Sequence, residues 1–202
     1  MSPIKSLRIL LHRMLMPLGI DTRKLRSDRK ILEGTVFPVL ENDPNIQSIL
    51  FVGCDWYTLH YGALFRQKRF ITIEINPELA RYGSEEHHID SCENIPRLFP
   101  SDSLDCCILN GVFGFGLNER AAMEATLAGI YGTLRPGGWF LFGWNDLPEH
   151  RPFPIEELVG LDKFQLREFP GLGSIYESDP INRHRFHFYT KQKIESGESA
   201  SS

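Results

Sequence analysis

The sequence predicts an α/β protein whose core is a doubly wound, mostly parallel sheet. From residue 45 onward, short apolar segments alternate with segments of helical periodicity, as in chains that place helices on both faces of a sheet. The first two apolar segments, 49–52 and 71–73, are almost continuously apolar, which is typical of strands buried on both sides. The last two segments follow each other without a convincing helix, so we expect an antiparallel strand at the end of the sheet.

Seven strands and three helices follow from this periodicity. The predicted strands are 48–52, 69–75, 87–89, 104–109, 139–144, 164–169 and 183–190, and the predicted helices are 58–65, 78–82 and 118–134. Asn118 is predicted to cap the last helix, because an asparagine side chain can accept a hydrogen bond from a free N–H of the first turn. His184 and His187 fall in the last strand and are interpreted as structural residues.

Residues 1–44 are predicted to form a basic, helical N-terminal extension. Within residues 1–30, eight Lys and Arg side chains stand against two Asp side chains. Apolar side chains recur there at the spacing of an amphipathic helix, at Leu7, Leu10, Leu11, Met14, Leu15 and Leu18. Pro17 and Gly19 end or bend this helix. We expect it to lie over the main domain; a lid over a site and a weak contact with a membrane surface are the alternatives.

Composition and charge limit the function classes. The chain has 202 residues, of which 42% are hydrophobic and 24% charged, as is typical of one soluble globular domain. No apolar run approaches the ~20 residues that a membrane-spanning helix requires. A net charge of −4 argues against a nucleic-acid-binding surface. Residues 45–190 are taken as the main domain, and the polar residues 191–202 are expected to form a disordered tail.

The spacing of cysteines and histidines predicts neither disulfides nor a metal site. The four cysteines lack C-x-x-C spacing, and the neighbours Cys106 and Cys107 should point to opposite faces of a strand. His87 and His88 are neighbours on a predicted strand in the same way, so they are poor joint ligands for a metal. We therefore expect reduced, buried thiols and a cytoplasmic location.

The residues that directly follow the strands predict an adenosine site. Ligands of open α/β sheets bind beyond the carboxyl ends of the strands. Gly53 follows the first strand and allows a ligand to approach the backbone closely. Glu74 lies at the end of the second strand, where a carboxylate can accept both hydrogen bonds of a ribose diol. Asp90 lies at the end of the third strand, where it can accept a hydrogen bond from the adenine amine.

The first loop favours S-adenosylmethionine over a dinucleotide. A pyrophosphate is bound by a glycine-rich turn, G-x-G-x-x-G, whose free N–H groups face the phosphates. This chain has Asp55 and Thr58 at the second and third glycine positions. The Asp55 carboxylate beside two phosphate charges would cost on the order of a few kcal/mol. A cofactor with a sulfonium and an ammonium group suits Asp55, so the sequence predicts S-adenosylmethionine.

Five ordered segments, spread over roughly residues 45–190, resemble the class I S-adenosylmethionine-dependent methyltransferases. They are ILFVGCD, FITIEINP, HHID, LDCCILNGVF and LRPGGWFLFGW. The resemblance implies a Rossmann-like methyltransferase fold, in which a seven-stranded sheet has an antiparallel last strand. The first loop departs from the family pattern. Phe51 stands where a carboxylate is usual, and Asp55 and Tyr57 stand where further glycines are usual.

The resemblance also implies which residues contact the cofactor. These are Gly53, Cys54 and Asp55 in the first loop, Glu74 at the ribose, Asp90 and Ser91 at the adenine, and Asn110 and Gly111 near the methyl-transfer centre. Two residues that follow the fifth strand, Asp146 and His150, are weak candidates to take a proton from the methyl acceptor.

The predicted function is a methyltransferase that transfers the methyl group in line to a small-molecule, sugar or lipid-linked acceptor. Such enzymes act mainly by holding donor and acceptor in a near-attack geometry, so no strong catalytic side chain is required. A nucleic-acid acceptor is disfavoured by the net charge and by the lack of a separate basic module, and the basic N-terminal helix leaves an anionic or RNA acceptor as a minor alternative. A non-catalytic adenosine-binding module is the main alternative, and an aminopropyltransferase of the same fold is a further one.

Overall fold

Eight strands pair into one sheet in the computed structural model, which describes residues 7, 10, 11, 14, 15, 27–178 and 180–192. The strands are β1 (Ser48–Val52), β2 (Arg69–Glu74), β3 (Glu86–Ile89), β4 (Leu104–Asn110), β5 (Leu134–Asn145), β6 (Phe164–Leu166), β7 (Ile175–Glu177) and β8 (His184–Lys191). Their order is β3-β2-β1-β4-β5-β8-β6, and β7 pairs with β8 off this path. The strand order therefore reverses at β1, where the chain crosses from one side of the sheet to the other.

The sheet is parallel from β3 to β5 and antiparallel around β8. The predicted doubly wound sheet with an antiparallel last strand is thereby confirmed. Seven strands lie on the main path, and β7 is an additional short strand that the sequence analysis missed. Its three residues give no periodicity, and Ile175 is exposed. β6 ends at Leu166, and β8 continues to Lys191, the first residue of the predicted tail.

Helical segments precede and connect the parallel strands. α1 (Ser27–Ile31) continues through a π-helical turn (Leu32–Val36) into α2 (Phe37–Asn42), α3 (Ile95–Leu98) precedes β4, and α4 (Arg120–Thr133) connects β4 to β5. The part of the chain that the structure describes also contains 3₁₀ turns at Gly62–Leu64, Pro77–Tyr82, Cys92–Asn94, Pro148–His150, Ile155–Glu157 and Leu161–Lys163.

Two of the helix predictions are wrong in part. Residues 58–65 form turns with a single 3₁₀ turn, Gly62–Leu64, rather than a helix. The Thr58 hydroxyl donates to the Asp55 carbonyl and also lies 3.0 Å from the Tyr82 carbonyl, so the segment is held as a turn. α4 is present, but its N-cap is Glu119 and not Asn118, and the cap position makes no side-chain hydrogen bond. Residues 78–82 are helical as a 3₁₀ turn.

The sheet separates two hydrophobic layers. Along β1, Leu50 and Val52 pack on the α4 side, and Ile49 and Phe51 pack on the side of α1 and α2. This division follows from strand geometry, because successive side chains point to opposite faces. Both faces of β1 are fully buried, which explains its continuously apolar sequence.

The cysteines follow the same division. Cys107 lies in the α4 layer and Cys106 in the other, and both are fully buried, as the sequence predicted. All four cysteines are free and buried. Burial raises the pKa of the Cys54 thiol to about 12, so it remains a protonated thiol at neutral pH. The cytoplasmic location stays a prediction.

Burial of His187 makes the folding stability depend on pH. Burial, together with the neighbouring charge of Arg185, lowers the pKa of His187 from 6.5 to about 4. The unfolded chain therefore binds a proton below pH 6.5 that the folded protein excludes until about pH 4, so stability is lost as the pH falls through this window. We expect His187 to account for about 2 kcal/mol of lost unfolding free energy between about pH 7.5 and about pH 5.

Urea unfolding at the two pH values measures this loss. His187→Phe should show a smaller decrease than the wild-type protein, and His150→Phe should keep the full decrease. An equal decrease in the wild-type protein and in His187→Phe would contradict the assignment.

Residues 7, 10, 11, 14 and 15, the described part of the predicted amphipathic helix, are helical, and four of their apolar side chains lie in solvent. Leu7, Leu10, Leu11 and Met14 are 65%, 55%, 49% and 65% exposed. Their spacing places them on one face of the helix. Pro17 and Gly19, which are predicted to end or bend this helix, and residues 193–202 of the predicted tail lie outside the described residues. Among the described helices, none has the length and apolar content needed to cross a bilayer.

Candidate cofactor-binding site

A cavity of about 600 Å³ lies at the carboxyl ends of β1, β2, β3 and β4. Its position is the edge where ligands of open α/β sheets bind. The structure brings all eight residues predicted to contact the cofactor to the lining of this one cavity. They are Gly53, Cys54, Asp55, Glu74, Asp90, Ser91, Asn110 and Gly111.

Glu74 at the end of β2 is held by the backbone on both sides. Its Oε2 accepts a hydrogen bond from the Cys54 N–H at 2.9 Å, and its Oε1 accepts one from the Asn76 N–H at 2.9 Å. Each carboxylate oxygen has further lone pairs, so the group can still accept two more hydrogen bonds. The carboxylate is thus oriented by the first loop and suited to a diol that donates two hydrogen bonds.

Gly53 allows a close approach to the backbone. Its φ of 87° lies in the left-handed region, and a Cβ there would lie 2.8 Å from a methyl group of Val112. A side chain at this position would therefore be strained and would collide with Val112 in the cavity wall. The Gly53 N–H donates to the Ile73 carbonyl at 2.8 Å, which continues the pairing of β1 and β2 into the loop.

Asp55 forms a tight turn with Thr58 at the mouth of the loop. The Asp55 N–H donates to Thr58 Oγ1 at 3.1 Å, and the Trp56 N–H donates to Asp55 Oδ1 at 2.6 Å. The turn places a carboxylate in the cavity lining, where a pyrophosphate-binding loop would present unoccupied N–H groups. This geometry favours a ligand that is positively charged at this end.

Asp90 follows β3 and is oriented in the same way. Its Oδ1 accepts hydrogen bonds from the Asn94 side chain at 2.8 Å and from the Ser91 N–H at 2.7 Å. These hydrogen bonds, that of Asn94 first, lower the pKa of Asp90 below its usual value, so the group is ionised at neutral pH. The other carboxylate oxygen of Asp90, Oδ2, can accept a hydrogen bond from an amine of the ligand.

The opposite wall of the cavity joins β4, β5 and β8 through three side chains. Asn110 Oδ1 lies 3.0 Å from His184 Nε2, and His184 Nδ1 lies 3.0 Å from Asn145 Oδ1. All three residues line the cavity. The sequence predicted a structural role for His184 and no role for Asn145. Asn145 nevertheless ends a strand that is parallel to β4, as Asn110 ends β4 itself, so its position carried the same signal.

Comparison with solved structures identifies the fold. The N-methyltransferase NodS from Bradyrhizobium japonicum WM9 has a TM-score of 0.63 at 13% identity, over 86% of this chain and 100% of that chain. A TehB-like SAM-dependent methyltransferase from Corynebacterium glutamicum has a TM-score of 0.61 at 14% identity, over 95% of this chain and 100% of that chain. The fold is that of the class I S-adenosylmethionine-dependent methyltransferases.

A third solved structure of this methyltransferase fold contains two ligands. The 1,6-didemethyltoxoflavin-N1-methyltransferase from Burkholderia thailandensis was solved with 1,6-didemethyltoxoflavin and S-adenosylhomocysteine bound. Its TM-score is 0.57 at 16% identity, over 94% of this chain and 88% of that chain. No family model matches this chain, and no curated protein matches it by sequence.

The N-terminal extension adds a positively charged side chain to the cavity of this methyltransferase fold. The sequence did not predict this side chain as part of the site. Asp28 and Arg29 of α1 line the cavity, and both are buried. The Arg29 guanidinium lies 3.6 Å from the centre of the Tyr57 ring and donates a hydrogen bond to the Tyr61 hydroxyl. Arg29 therefore links α1 to the first loop. No motif marks it in the sequence, because its partners lie about thirty residues further along the chain.

Asp146 and His150 are the two weak candidates for taking a proton, and the structure places neither in the lining of the cavity. The Asp146 carboxylate accepts from Arg151 at 2.9 Å and from Arg183 at 2.8 Å, and Arg185 lies 2.9 Å from it. Three guanidinium groups thus pair with this one carboxylate.

His150 packs against the glycine-rich loop that follows β4. Its ring centroid lies 4.4 Å from that of Phe115, a half-exposed side chain that lines the cavity. Gly114 makes this packing possible, because a Cβ there would lie 2.0 Å from the His150 carbonyl oxygen. His150 thus supports one wall of the cavity. Within the described residues, no cluster of three His, Cys, Asp or Glu side chains is placed to hold a metal ion.

Proposed function

We propose that this protein is an S-adenosylmethionine-dependent methyltransferase. The observation that carries the proposal is the meeting of two oriented carboxylates, Glu74 and Asp90, with the Gly53 loop in one cavity of the methyltransferase fold. The carboxylates follow adjacent strands, β2 and β3, and are therefore suited to the two ends of one adenosine. The roles of the eight lining residues at the cofactor stay predictions.

The charges of the cavity match the amino-acid end of S-adenosylmethionine. Asp55 in the first loop supplies a carboxylate for the ammonium group of the cofactor. Arg29 supplies a guanidinium for the carboxylate group of the cofactor. Such a pair of opposite charges suits a zwitterion, and the Asp55 carboxylate repels a diphosphate. Glu74 is assigned to the ribose diol, and Asp90 with Ser91 to the adenine.

When bound, this cofactor supplies an electrophilic methyl group on a positively charged sulfur. The protein contributes by position: Asn110 ends β4 and Gly111 follows it, at the wall of the cavity that faces β5 and β8, where an acceptor can enter. Gly111 has a φ of 69°, and a Cβ there would meet nothing within 4 Å, so the loop leaves space at this point. Catalysis by positioning requires no general base on the protein, and the proposal gives Asp146 and His150 no catalytic role.

Calorimetry with S-adenosylmethionine and S-adenosylhomocysteine tests the proposal. A methyltransferase binds both compounds, since one is its substrate and the other its product. Binding of NADH or a nucleotide sugar instead would overturn the proposal. Binding of both compounds, without methyl transfer to any amine, hydroxyl or lipid-linked acceptor offered, would favour the non-catalytic binding module.

The acceptor is proposed to be a small molecule, a sugar or a lipid-linked compound, and the N-terminal helix favours the lipid-linked class. An interfacial helix needs an exposed apolar face and basic side chains. The helix has the first, and the seven basic residues of positions 1–30 other than the buried Arg29 supply the second. We expect the protein to sediment with vesicles that contain phosphatidylglycerol and to be released by salt.

Substitution of the exposed face tests this contact. The double substitution of Leu10 and Leu11 by glutamate should abolish sedimentation with the vesicles. Val159→Glu, which changes an apolar residue elsewhere that is 69% exposed, should not. Equal sedimentation of the double variant would contradict the membrane contact.

A further inference from the structure

His184 is a buried side chain in the wall of the cavity to which the proposed function gives no role. It is 1% exposed and begins β8, directly opposite Asn145 in the antiparallel pairing with β5. Directly opposed residues of paired strands project from the same face, so the ring and the amide meet side by side. On its other side the ring reaches Asn110, which ends β4 and lines the cavity.

The hydrogen bonds of Asn145 fix the position of one proton on the His184 ring. Asn145 Nδ2 donates to the Asn182 carbonyl at 2.9 Å, so its Oδ1 is the atom that faces His184 Nδ1 at 3.0 Å. An amide oxygen only accepts hydrogen bonds. His184 Nδ1 must therefore carry a hydrogen and donate it to Asn145.

The hydrogen on Nδ1 determines which atom of the Asn110 side-chain amide must face the His184 ring. Burial favours the neutral form of this ring, because a ring that is 1% exposed has lost the water that would stabilise a positive charge. In a neutral ring with a hydrogen on Nδ1, Nε2 can only accept. The amide of Asn110 must then turn its Nδ2 to the ring, which exchanges the positions of amide nitrogen and oxygen and leaves the other heavy atoms in place.

Gly143 on β5 keeps the pair in close contact. A Cβ at Gly143 would lie 1.9 Å from the Asn110 side-chain oxygen position and 3.0 Å from His184 Nε2. A side chain there would push Asn110 and His184 apart. Gly143 lies on β5, the strand between Asn110 and His184, and glycine is the only residue type that has no Cβ to occupy this space.

We propose that His184 is a positioning residue that directs the carbonyl oxygen of Asn110 into the cavity, and that the site therefore selects acceptors whose nucleophilic atom carries a hydrogen, as in an amine or a hydroxyl. This inference rests on the proposed function. The acceptor would donate one N–H or O–H to Asn110 Oδ1 and keep a lone pair free. That lone pair forms the new bond to the methyl carbon, the carbon–sulfur bond breaks with its electrons left on sulfur, and the surplus proton passes to water.

Sinefungin tests the proposal without a known acceptor. This analogue of S-adenosylmethionine carries an amine-bearing carbon in place of the methylated sulfur, so it places N–H donors where the acceptor would approach. We expect the wild-type protein to bind sinefungin more tightly than S-adenosylhomocysteine. In His184→Phe, which keeps a ring without nitrogens, this preference should fall about tenfold, because sinefungin should lose more affinity than S-adenosylhomocysteine does.

Two further variants separate a positioning role from a merely structural one. His184→Gln offers an amide oxygen that can accept from Asn110 in place of Nε2, so it should restore part of the preference. His187→Phe changes a buried histidine of the same strand outside the cavity lining and should leave the preference as in the wild-type protein. An unchanged preference in His184→Phe would overturn the inference.

Nitrogen-15 NMR of the histidine rings of the wild-type protein provides a measurement that does not depend on a folded variant. The expected His184 signals are a protonated Nδ1 and an unprotonated Nε2. An imidazolium, or a hydrogen on Nε2 alone, would overturn the inference. Failure of the wild-type protein to bind S-adenosylhomocysteine would instead overturn the proposed function, so the two failures are distinguishable.

Discussion

Replacement of Arg29 by alanine is expected to lower the free energy of unfolding by about 3–5 kcal/mol, the cost of breaking a buried charged network. The Arg29 side chain is 6% exposed and connects α1 to the first loop through Tyr57 and Tyr61. The Tyr61 hydroxyl in turn donates to Glu33 Oε1 at 3.2 Å. Without the guanidinium, the carboxylates of Asp28 and Glu33 would lose their nearby positive charge in a largely buried region.

Urea unfolding measures this effect, with Lys30→Ala as the matched control. Lys30 is the next residue of α1 and is exposed, so its removal should change the free energy of unfolding by less than about 0.5 kcal/mol. Arg29→Lys keeps a positive charge but loses the planar group that lies over Tyr57, so its stability should be intermediate. A loss in Arg29→Ala no larger than in Lys30→Ala would show that α1 is not held to the loop by this contact.

Replacement of Glu74 by alanine is expected to weaken the binding of S-adenosylhomocysteine about 100-fold, or about 3 kcal/mol. Two effects act together. The ribose diol loses the acceptor assigned to it, and the N–H groups of Cys54 and Asn76 lose the carboxylate that holds them at 2.9 Å. The first loop is therefore expected to lose its orientation along with the ligand contact.

Calorimetry on three variants separates these effects. Glu74→Gln keeps one amide oxygen as an acceptor and should bind with intermediate affinity. Glu78→Ala removes an exposed carboxylate four residues further along the chain, outside the cavity lining, and should bind like the wild-type protein. Unchanged affinity in a folded Glu74→Ala protein would remove Glu74 from the binding site.

The sequence by itself determined the strands of the parallel sheet and the eight residues around the cavity. Each of these residues lies at or directly after an apolar segment, and parallel strands bring their carboxyl ends to one edge whatever the details of packing. Local pattern was therefore sufficient for Gly53, Glu74 and Asp90. It failed where local interactions competed, as at residues 58–65, where Thr58 bonds to the backbone of a turn in place of a helix.

Only the tertiary structure decided which distant side chains complete the cavity. His184 meets Asn110 across 74 residues of sequence because β8 inserts beside β5, and Arg29 meets Tyr61 across 32 residues because α1 packs over the first loop. Such long-range contacts depend on the order of the strands and the placement of the helices. Both are set by the burial of the apolar surface of the whole chain. The residues that make these contacts therefore show no periodic pattern in the sequence.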